Sequence, residues 1–370
     1  MYASKYVLTD PQDVADVKDQ VQKLWPGAAR GRNPVPLPIP LVESNMKQLS
    51  QGFSVTHKAD GTRFILVLGK YSKQSFTRSL FYSVLIDRTF CIYVVRVAAD
   101  LRFYDGSIFD GELVMQHEAQ LESPRQTFLV FDAVAICGKT IVQSDFVTRY
   151  QVVAKVFPVG TVDFYIQEDP STWTSNAVKA AQSGAIVSLG NDACLRFQAK
   201  TFMRAANVQL LLSHKPKFAT DGLVFIREAD PVGIGRCASL LKWKQHHTVD
   251  LLIVARPGAS PVFGHWQLTV GYASGKEIKQ IGPSGLRLSN GRYQPLALLP
   301  NEFLLSLLQS RTETFSTILE CIVQVDADII NIEPVRIRLD KRSPNSLQVL
   351  IFTVEQAFVP LADLVQACLS

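Results

Sequence analysis

One lysine of the chain has neighbours that could make it part of a site. It lies in the string VTHKADGTR (55–63), where an Asp-Gly turn separates Lys58 from Arg63 and a new apolar strand. Asp-Gly is a common hairpin turn. Lysine and arginine also often end strands simply because water solvates them there. This segment alone therefore leaves two interpretations open, a solvated hairpin or a cationic site.

Three carboxylates lie inside apolar, strand-like segments. Glu112 is in FDGELV (109–114), Asp132 is in FLVFDAV (128–134), and Asp221 is in TDGLVF (220–225). A carboxylate in such surroundings is costly unless it is paired with a cation or bound to a metal. Each of the three is therefore a candidate for an ion pair or a metal ligand.

Two further strings are rich in cations. Lys242 and Lys244 in LLKWK (240–244) would project to the same face of a strand and repel each other unless an anion lies between them. The string RIRLDKR (336–342) contains four basic residues. Each string could be a solvated surface, but cations and carboxylates at the ends of apolar strands are also what a pocket for a polyphosphate and a divalent cation requires.

The elements that must position these residues are mostly strands. Segments rich in Val, Ile, Phe and Tyr predict strands at 64–69, 80–86, 90–97, 127–136, 222–226, 250–254, 265–272, 318–325 and 347–353. Capping residues and apolar periodicity predict helices at 11–24, 146–156, 174–183, 301–310 and 355–368. Strands and helices do not alternate regularly, so an α+β fold with antiparallel sheets is favoured over a doubly wound parallel sheet.

Length and composition limit the class of protein. A chain of 370 residues with 47% hydrophobic and 19% charged residues is expected to be globular, with two domains. No apolar run of 18 residues and no apolar N-terminal segment is visible, so we expect neither a membrane span nor secretion. The six cysteines are widely spaced and predict free thiols, and the net charge of +5 suits a polyanionic partner.

In their order and form, the strings resemble motifs of the covalent lysine nucleotidyltransferases. KADGTR resembles the KxDGxR motif of this superfamily, and RLDKRSPN (338–345) resembles the RxDKxxPN motif of mRNA capping guanylyltransferases rather than that of polynucleotide ligases. Between these two, five further strings resemble the intervening motifs of the superfamily in their order. They are LIDR (85–88), FDGELV (109–114), VFDAVA (130–135), DGLVF (221–225) and LLKWK (240–244). A stand-alone enzyme of this size is similar to those of some large DNA viruses.

The resemblance implies a fold and a two-step reaction. Residues 1–249 would form the nucleotidyltransferase domain with antiparallel sheets, 250–354 an OB-fold β-barrel domain, and 355–370 a helix that packs back on the first domain. Lys58 would take GMP from GTP as a covalent lysyl-GMP and release pyrophosphate. It would then pass GMP to a 5′-diphosphate RNA end. Because a free lysine has a pKa near 10.4, neighbouring cations would have to drive the amine neutral.

The resemblance also implies roles for the catalytic residues. Arg63 and Glu112 would hold the ribose, Asp221 would place Mg²⁺ or Mn²⁺ together with Glu112, and Phe131 would stack on guanine. Lys242 and Lys244 would bind the α-phosphate.

The remaining implied GTP contacts divide between the two domains. In the first domain they are Asp60, Gly61, Arg88 and Asp132. In the second domain they are Arg338, Asp340 and Lys341, which would close over GTP and orient the pyrophosphate.

Two departures from the family pattern and two alternative functions stay open. His57 stands where an acidic residue is expected, and the stretch between Asp132 and Asp221 is long. One alternative is an ATP-dependent polynucleotide ligase, and the other is an inactive nucleotidyltransferase-like RNA-binding module. The implied partners are GTP and RNA, with an RNA triphosphatase, a cap methyltransferase or an RNA polymerase. Both the nucleus and a cytoplasmic viral factory fit as locations.

Overall fold

The computed structural model is a mixed α+β protein in which strands predominate. It describes residues 7–72, 80–95, 97–116, 124–157, 187–188, 195–282, 285–309, 311–326 and 329–369. The chain divides into two compact units between Lys242 and Trp243, and the second unit also takes in Pro40–Gln48. The boundary predicted near residue 249 falls inside a strand, His247–Ser260.

The helices follow local capping signals. Asp10 caps the first helix by accepting hydrogen bonds from the backbone N–H groups of Gln12 and Asp13, and Pro11 occupies the first turn, where no N–H is needed. The helices are α1 (Pro11–Leu24), α2 (Glu43–Met46), α3 (Phe146–Val156), α4 (Val208–Ser213), α5 (Glu302–Gln309), α6 (Leu347–Ala357) and α7 (Leu361–Leu369).

The strands coincide with most of the predicted apolar segments. They are β1 (Pro36–Pro40), β2 (Phe53–Ala59), β3 (Thr62–Lys70), β4 (Phe81–Asp87), β5 (Ile92–Val94), β6 (Val97–Ala98), β7 (Ser107–Gln116), β8 (Arg125–Ile136), β9 (Lys139–Thr140), β10 (Val187–Ser188), β11 (Leu195–Ala199), β12 (Met203–Arg204), β13 (Thr220–Arg227), β14 (Gly235–Lys244), β15 (His247–Ser260), β16 (Gly264–Ser274), β17 (Glu277–Gln280), β18 (Leu286–Arg287), β19 (Tyr293–Gln294), β20 (Leu296–Leu298), β21 (Phe315–Asp326) and β22 (Ile329–Ile337).

Two large sheets build the first unit, beside the two-stranded pair β10-β6. One has the strand order β1-β14-β13-β2-β12; the other has β11-β8-β7-β3-β4-β5, with β9 beside β8. Strand β3 runs through the middle of the larger sheet, and its buried run Phe64–Leu68 alternates between two apolar clusters. Helix α3 packs in one cluster and α1 in the other, so both faces of this sheet are covered. That is why β3 is continuously apolar rather than alternating.

The second unit has a sheet and a core of its own. Its six strands follow the order β17-β16-β15-β21-β22-β20, and the apolar side chains pack against α5 and α6. The pairings among the described residues leave this sheet open, so the OB-fold barrel stays a prediction.

Two predictions about the chain end were wrong. Residues 347–353, predicted as a strand, form the first two turns of α6, because Ser346 caps a helix there and Leu350 and Val354 are buried at helical spacing. The tail is two helices rather than one over 355–368, since Pro360 cannot continue the backbone hydrogen bonds of α6.

Other expectations about the chain have simpler outcomes. The helix predicted at 174–183 lies outside the described residues, and the strand predicted at 90–97 is divided into β5 and β6. Five cysteines are free thiols, and Cys194 lies outside the described residues. No single described helix meets the length and apolarity needed to cross a bilayer; α6 and α7 meet them only as a pair bent by 66°.

We expect Asp10→Ala to lower the free energy of unfolding of the first unit by about 1 kcal/mol, because it removes the side chain that accepts two backbone hydrogen bonds at the start of α1. Urea denaturation followed by circular dichroism measures the loss. Gln22→Ala, at an exposed position in the same helix, is the control and should be close to neutral. An equal loss in both variants would contradict the capping role.

Candidate active site

Lys58 lies near the end of β2 and is paired with Asp221. Its Nζ donates a hydrogen bond to Asp221 Oδ1 at 2.6 Å, and the two side chains are 21% and 33% exposed. Asp221 is the extra residue of a β-bulge, because Thr220 pairs with Ala59 while Gly222 pairs with Lys58. A bulge re-aims the side chain at the irregularity, so the backbone of β13 presents this carboxylate to the lysine.

The Asp60-Gly61 turn connects two sheets and is not a hairpin. Strand β2 belongs to the smaller sheet of the first unit and β3 to the larger one. A Cβ at Gly61 would lie 2.4 Å from the carbonyl oxygen of Leu113 and 2.8 Å from Val114 Cγ1. Glycine is required there because the backbone passes so close to β7. The connection places Lys58 on the smaller sheet and Arg63 on the larger one, and both side chains line the same cavity.

Arg63 is held by Asp110. Its Nε and Nη2 donate to the two carboxylate oxygens of Asp110 at 3.0 and 2.5 Å, and Nη1 donates to the carbonyl of Pro36 at 2.6 Å. Glu112 faces Arg63 across the β3–β7 pair. The sequence analysis missed Asp110, although it stands two residues before Glu112 and its side chain therefore lies on the same face of β7.

Phe131 is a second residue whose position is set by a β-bulge. In the β7–β8 pair, Asp110 lies opposite Asp132 and Gly111 opposite Val130, so Phe131 is the extra residue. Its ring lies 5.2 Å from the Arg63 guanidinium carbon and 5.5 Å from Lys200 Nζ, measured to the ring centroid. The ring therefore has cations beside it, an arrangement that stabilises them when they are desolvated.

These side chains line one cavity of about 200 Å³ in the first unit. Its walls combine charged groups with apolar ones. They are Pro38, Thr56, Lys58, Ala59, Arg63, Glu112, Phe131, Lys200, Phe202, Val224, Ile226 and Leu240. A ring stacked on Phe131 and a phosphate near the three cations would both be accommodated.

Lys200 also lines the cavity, has a strongly lowered pKa and was missed by the sequence analysis. It is 4% exposed, and burial together with the charges of Lys58 and Arg63 lowers its pKa to about 8, against the opposing effect of Glu112. Its ammonium donates no hydrogen bond to any residue that the structure describes. The signal was present in the sequence as LRFQAK (195–200), an alternating strand that ends in a lysine.

Two carboxylates act on Lys58: Asp221 accepts its hydrogen bond, and Glu112 interacts electrostatically with both Lys58 and Lys200. Burial raises the pKa of Glu112, while Lys200, Lys58 and Arg63 oppose that rise. No group of three or more metal-ligating side chains occurs in the described part of the chain. Mg²⁺ is often bound by one or two carboxylates together with substrate phosphates, so this pair fits such an ion if the nucleotide supplies further oxygens.

His57, on the opposite side of β2 from Lys58, supports the strand from behind. Its Nε2 lies 3.1 Å from the carbonyl oxygens of both Leu211 and His214, at the end of α4. Burial lowers its pKa, so the ring is neutral and donates from Nε2. An acidic side chain could not donate to these carbonyls, which gives a physical reason for histidine at this position.

Asp132, predicted as a nucleotide contact, is paired with Arg149 in the structure. Its two oxygens accept hydrogen bonds from Arg149 Nε and Nη2 at 2.8 and 3.0 Å, and Arg149 is 2% exposed. Arg149 also donates to the carbonyl groups of Ser144 and Asp230. The pair joins α3 to β8 and does not line the Lys58 cavity.

Several other predicted residues lie outside this cavity. Asp60 and Gly61 line a different cavity of about 590 Å³. Arg88 is exposed in the turn after β4, and Lys242 and Lys244 lie on β14, on either side of the buried Trp243.

In the second unit, Arg338, Asp340 and Lys341 come together around Asp250. Arg338 donates to Asp340 Oδ1 and Oδ2 at 2.9 and 2.8 Å and to Asp250 Oδ1 at 2.6 Å, while Lys341 Nζ is 3.6 Å from Asp250 Oδ2. The Arg338 guanidinium lowers the pKa of Asp340 to about 2. Asn345 bonds to the backbone of Asp250 in both directions, which fixes the motif to β15.

Two sheets that enclose a lysine among further cations and a stacking ring have the features of a nucleotide-binding domain. The family model of the mRNA capping enzyme catalytic domain matches residues 4–246. The chain therefore belongs to this family.

Curated proteins similar to the chain are named as mRNA-capping enzymes. The chain is 26% identical over 249 residues to the mRNA-capping enzyme subunit alpha of Kluyveromyces lactis, covering 60% of this chain and 47% of the relative. It is 24% identical over 223 residues to the mRNA-capping enzyme of Danio rerio, covering 58% and 33%. The chain thus matches half or less of the length of these relatives.

Among solved structures, the chain is similar to a mycobacterial DNA ligase D complexed with ATP and MES. The TM-score is 0.39 at 13% identity, covering 84% of this chain and 96% of that one.

We expect Arg149→Met to lower the free energy of unfolding by about 3–5 kcal/mol, because it leaves the Asp132 carboxylate buried without its cation. The double variant Arg149→Met/Asp132→Leu should recover a large part of the loss, since no buried charge is then unpaired. Thermal and urea unfolding measure both. If the double variant is no more stable than the single one, Asp132 does not act as the partner of Arg149.

Proposed function

We propose that the chain is an mRNA guanylyltransferase that uses Lys58 as its nucleophile. The observation that carries the proposal is the cavity itself, in which one lysine lies among two further cations and a stacking ring, in a chain of the capping enzyme family. The substrates are GTP and a 5′-diphosphate RNA end, which an RNA triphosphatase would supply.

In the first step, Lys58 Nζ attacks the α-phosphorus of GTP. The N–P bond forms, the bond to the bridging oxygen breaks, and pyrophosphate leaves with the electron pair. Arg63 offers positive charge where negative charge grows on the phosphoryl group. In the second step, an oxygen of the RNA diphosphate attacks the same phosphorus, and the N–P bond breaks to restore the lysine and form GpppN.

The proton of Lys58 has an acceptor in place. An ammonium cannot attack phosphorus, and the Asp221 carboxylate already accepts a hydrogen bond from it at 2.6 Å. We assign to Asp221 the acceptance of this proton as the amine approaches phosphorus. The mechanism thus uses a general base as well as the like charges that the sequence analysis invoked.

A divalent cation would be held by Asp221 and Glu112 together with the phosphates. When bound, it would neutralise part of the triphosphate charge and favour departure of pyrophosphate. Mg²⁺ and Mn²⁺ suit these oxygen ligands.

Lys200 favours guanine over adenine. A base stacked on Phe131 would present its edge to the Lys200 ammonium, which only donates hydrogen bonds. Guanine has two adjacent acceptors, O6 and N7, whereas adenine has an amino donor beside N7. The charge next to the stacking ring therefore supports GTP as substrate and disfavours the ATP-dependent ligase alternative.

The proposal also assigns a role to the second unit. Its open sheet and helices would correspond to the OB-fold domain, and Arg338, Asp340 and Lys341 would orient the pyrophosphate. Origin in a large DNA virus, and a location in the nucleus or a viral factory, stay predictions.

Lys58→Arg keeps the positive charge but removes the nucleophilic amine. We expect incubation with α-labelled GTP and magnesium, followed by a denaturing gel, to show covalent label on the wild type and none on this variant. Lys70→Arg, outside the cavity, should label normally. Label on Lys58→Arg, or stronger labelling of the wild type by ATP than by GTP, would refute the proposal.

We also expect GTP binding to weaken as the pH rises through 8, because the Lys200 ammonium is lost there. With a pKa of about 8, the protonated fraction falls from about 0.9 at pH 7 to about 0.1 at pH 9. The dissociation constants of GTP and ATP should be measured in a Lys58→Arg background, which keeps the positive charge that acts on Lys200 and allows no covalent step.

In the same background, Lys200→Met should lose both this pH dependence and the preference for GTP over ATP. If the preference persists in Lys200→Met, another group reads the base.

A further inference from the structure

A second cavity lies behind the strand that carries Lys58. It has a volume of about 330 Å³ and lies in the first unit, between the end of β11 and the segment that follows α4. His57, whose side chain points away from Lys58, is part of its wall. The mechanism above makes no use of this cavity.

The charges on its wall are all of one sign. Arg196, Lys215 and Lys217 contribute cations, and His214 stands beside them. None of the described residues that line the cavity is acidic. By contrast, the cavity of about 590 Å³ near Asp60 is lined by Asp60 and Asp87 and by no lysine or arginine that the structure describes. An anion is therefore attracted to one of these cavities and repelled from the other.

The wall also carries groups that bind nucleobases. Gln116, which is buried, and Gln198 offer amide donors and acceptors, and Phe218 offers a ring. Stacking on an aromatic ring is a common way to hold an unpaired base, and it works for every base. Cations, amides and a ring in one cavity together match a single-stranded nucleotide with its phosphates.

The two cavities adjoin. Thr56 and Lys200 line both of them, so a strand bound in the second cavity would lie next to the nucleotide site. The Thr56 hydroxyl donates to the carbonyl of Thr201 at 2.7 Å and closes β2 against the segment after β11. A nucleic acid that must bring its 5′ end to Lys58 would meet this surface on the way.

We propose that this second cavity binds the RNA acceptor, with Lys215 and Lys217 on backbone phosphates and a base against Phe218. The proposal rests on the function proposed above, in which RNA is the second substrate. It assigns the RNA contact to a surface of the first unit that the GTP step does not touch. The two steps should therefore respond differently when this surface is changed.

The test compares two double variants that remove equal charge from the first unit. Lys215→Ala/Lys217→Ala changes the cavity, and Lys23→Ala/Lys139→Ala removes two exposed lysines that do not line it. Binding of a 3′-labelled, 5′-hydroxyl single-stranded RNA is measured by fluorescence anisotropy over a range of salt. Labelling by GTP and transfer of GMP to a 5′-diphosphate RNA are measured separately.

For the cavity variant, we expect RNA affinity to fall about tenfold and the slope of log K against log salt to decrease by about 1.4, since each phosphate contact on a single strand contributes about 0.7. The KM for diphosphate RNA should rise about tenfold, with GTP labelling unchanged. The control variant should match the wild type in every measurement.

Three results would overturn the proposal. They are unchanged RNA affinity and slope in the cavity variant, equal losses in both variants, and a loss of GTP labelling confined to the cavity variant. If the wild type forms no lysyl-GMP but RNA binding still depends on Lys215 and Lys217, the guanylyltransferase assignment fails while the RNA site stands.

Discussion

Three cationic side chains share one small cavity, and the arrangement of the site depends on carboxylates that offset the repulsion among them. Lys58, Arg63 and Lys200 all line it, and each has a carboxylate close by or within electrostatic reach. Asp110 binds Arg63 through both oxygens, Asp221 binds Lys58, and Glu112 acts on Lys200. Lys200 has no hydrogen-bonded partner among the described residues, and burial lowers its pKa to about 8. The carboxylates thus offset the repulsion among the three cations, and the cavity keeps positive charge that a phosphate can bind.

Irregularities in the sheets determine which side chains reach this cavity. Regular pairing would direct Phe131 and Asp221 according to simple alternation, but each is the extra residue of a bulge. The Asp60-Gly61 connection adds a third departure, because it carries the chain from one sheet to the other, whereas Asp-Gly commonly closes a hairpin within one sheet. The site is therefore built from two sheets that are each regular except where they contribute a functional group.

The mechanism gives Asp221 a role as proton acceptor and adds Lys200, which no motif singled out, as the group that reads the nucleobase. Asp221 was predicted as a metal ligand, and in the structure it also accepts a hydrogen bond from the ammonium of Lys58. Asp132 resembled a nucleotide contact, yet it braces Arg149 inside the domain. Lys200 lies within the long stretch between Asp132 and Asp221, to which the sequence assigned no role. One chain segment thus contributes both the buried cation of the first cavity and part of the cationic wall of the second.

The sequence by itself determined the class of protein, which the family match confirms, and most strands and the helices at 11–24 and 146–156, which follow from local patterns. It also predicted Lys58, Arg63, Glu112 and Phe131 as site residues, and their side chains line one cavity. Only the tertiary structure decided which carboxylate meets which cation, because bulges and sheet crossings depend on register between distant strands. It also decided that 347–353 is a helix, since burial of Leu350 and Val354 outweighs the β-propensity of that segment. Lys200 could be recognised as a site residue only from the tertiary structure, because folding brings residues 58, 63, 131 and 200 around one cavity. Burial in that cavity lowers the pKa of Lys200.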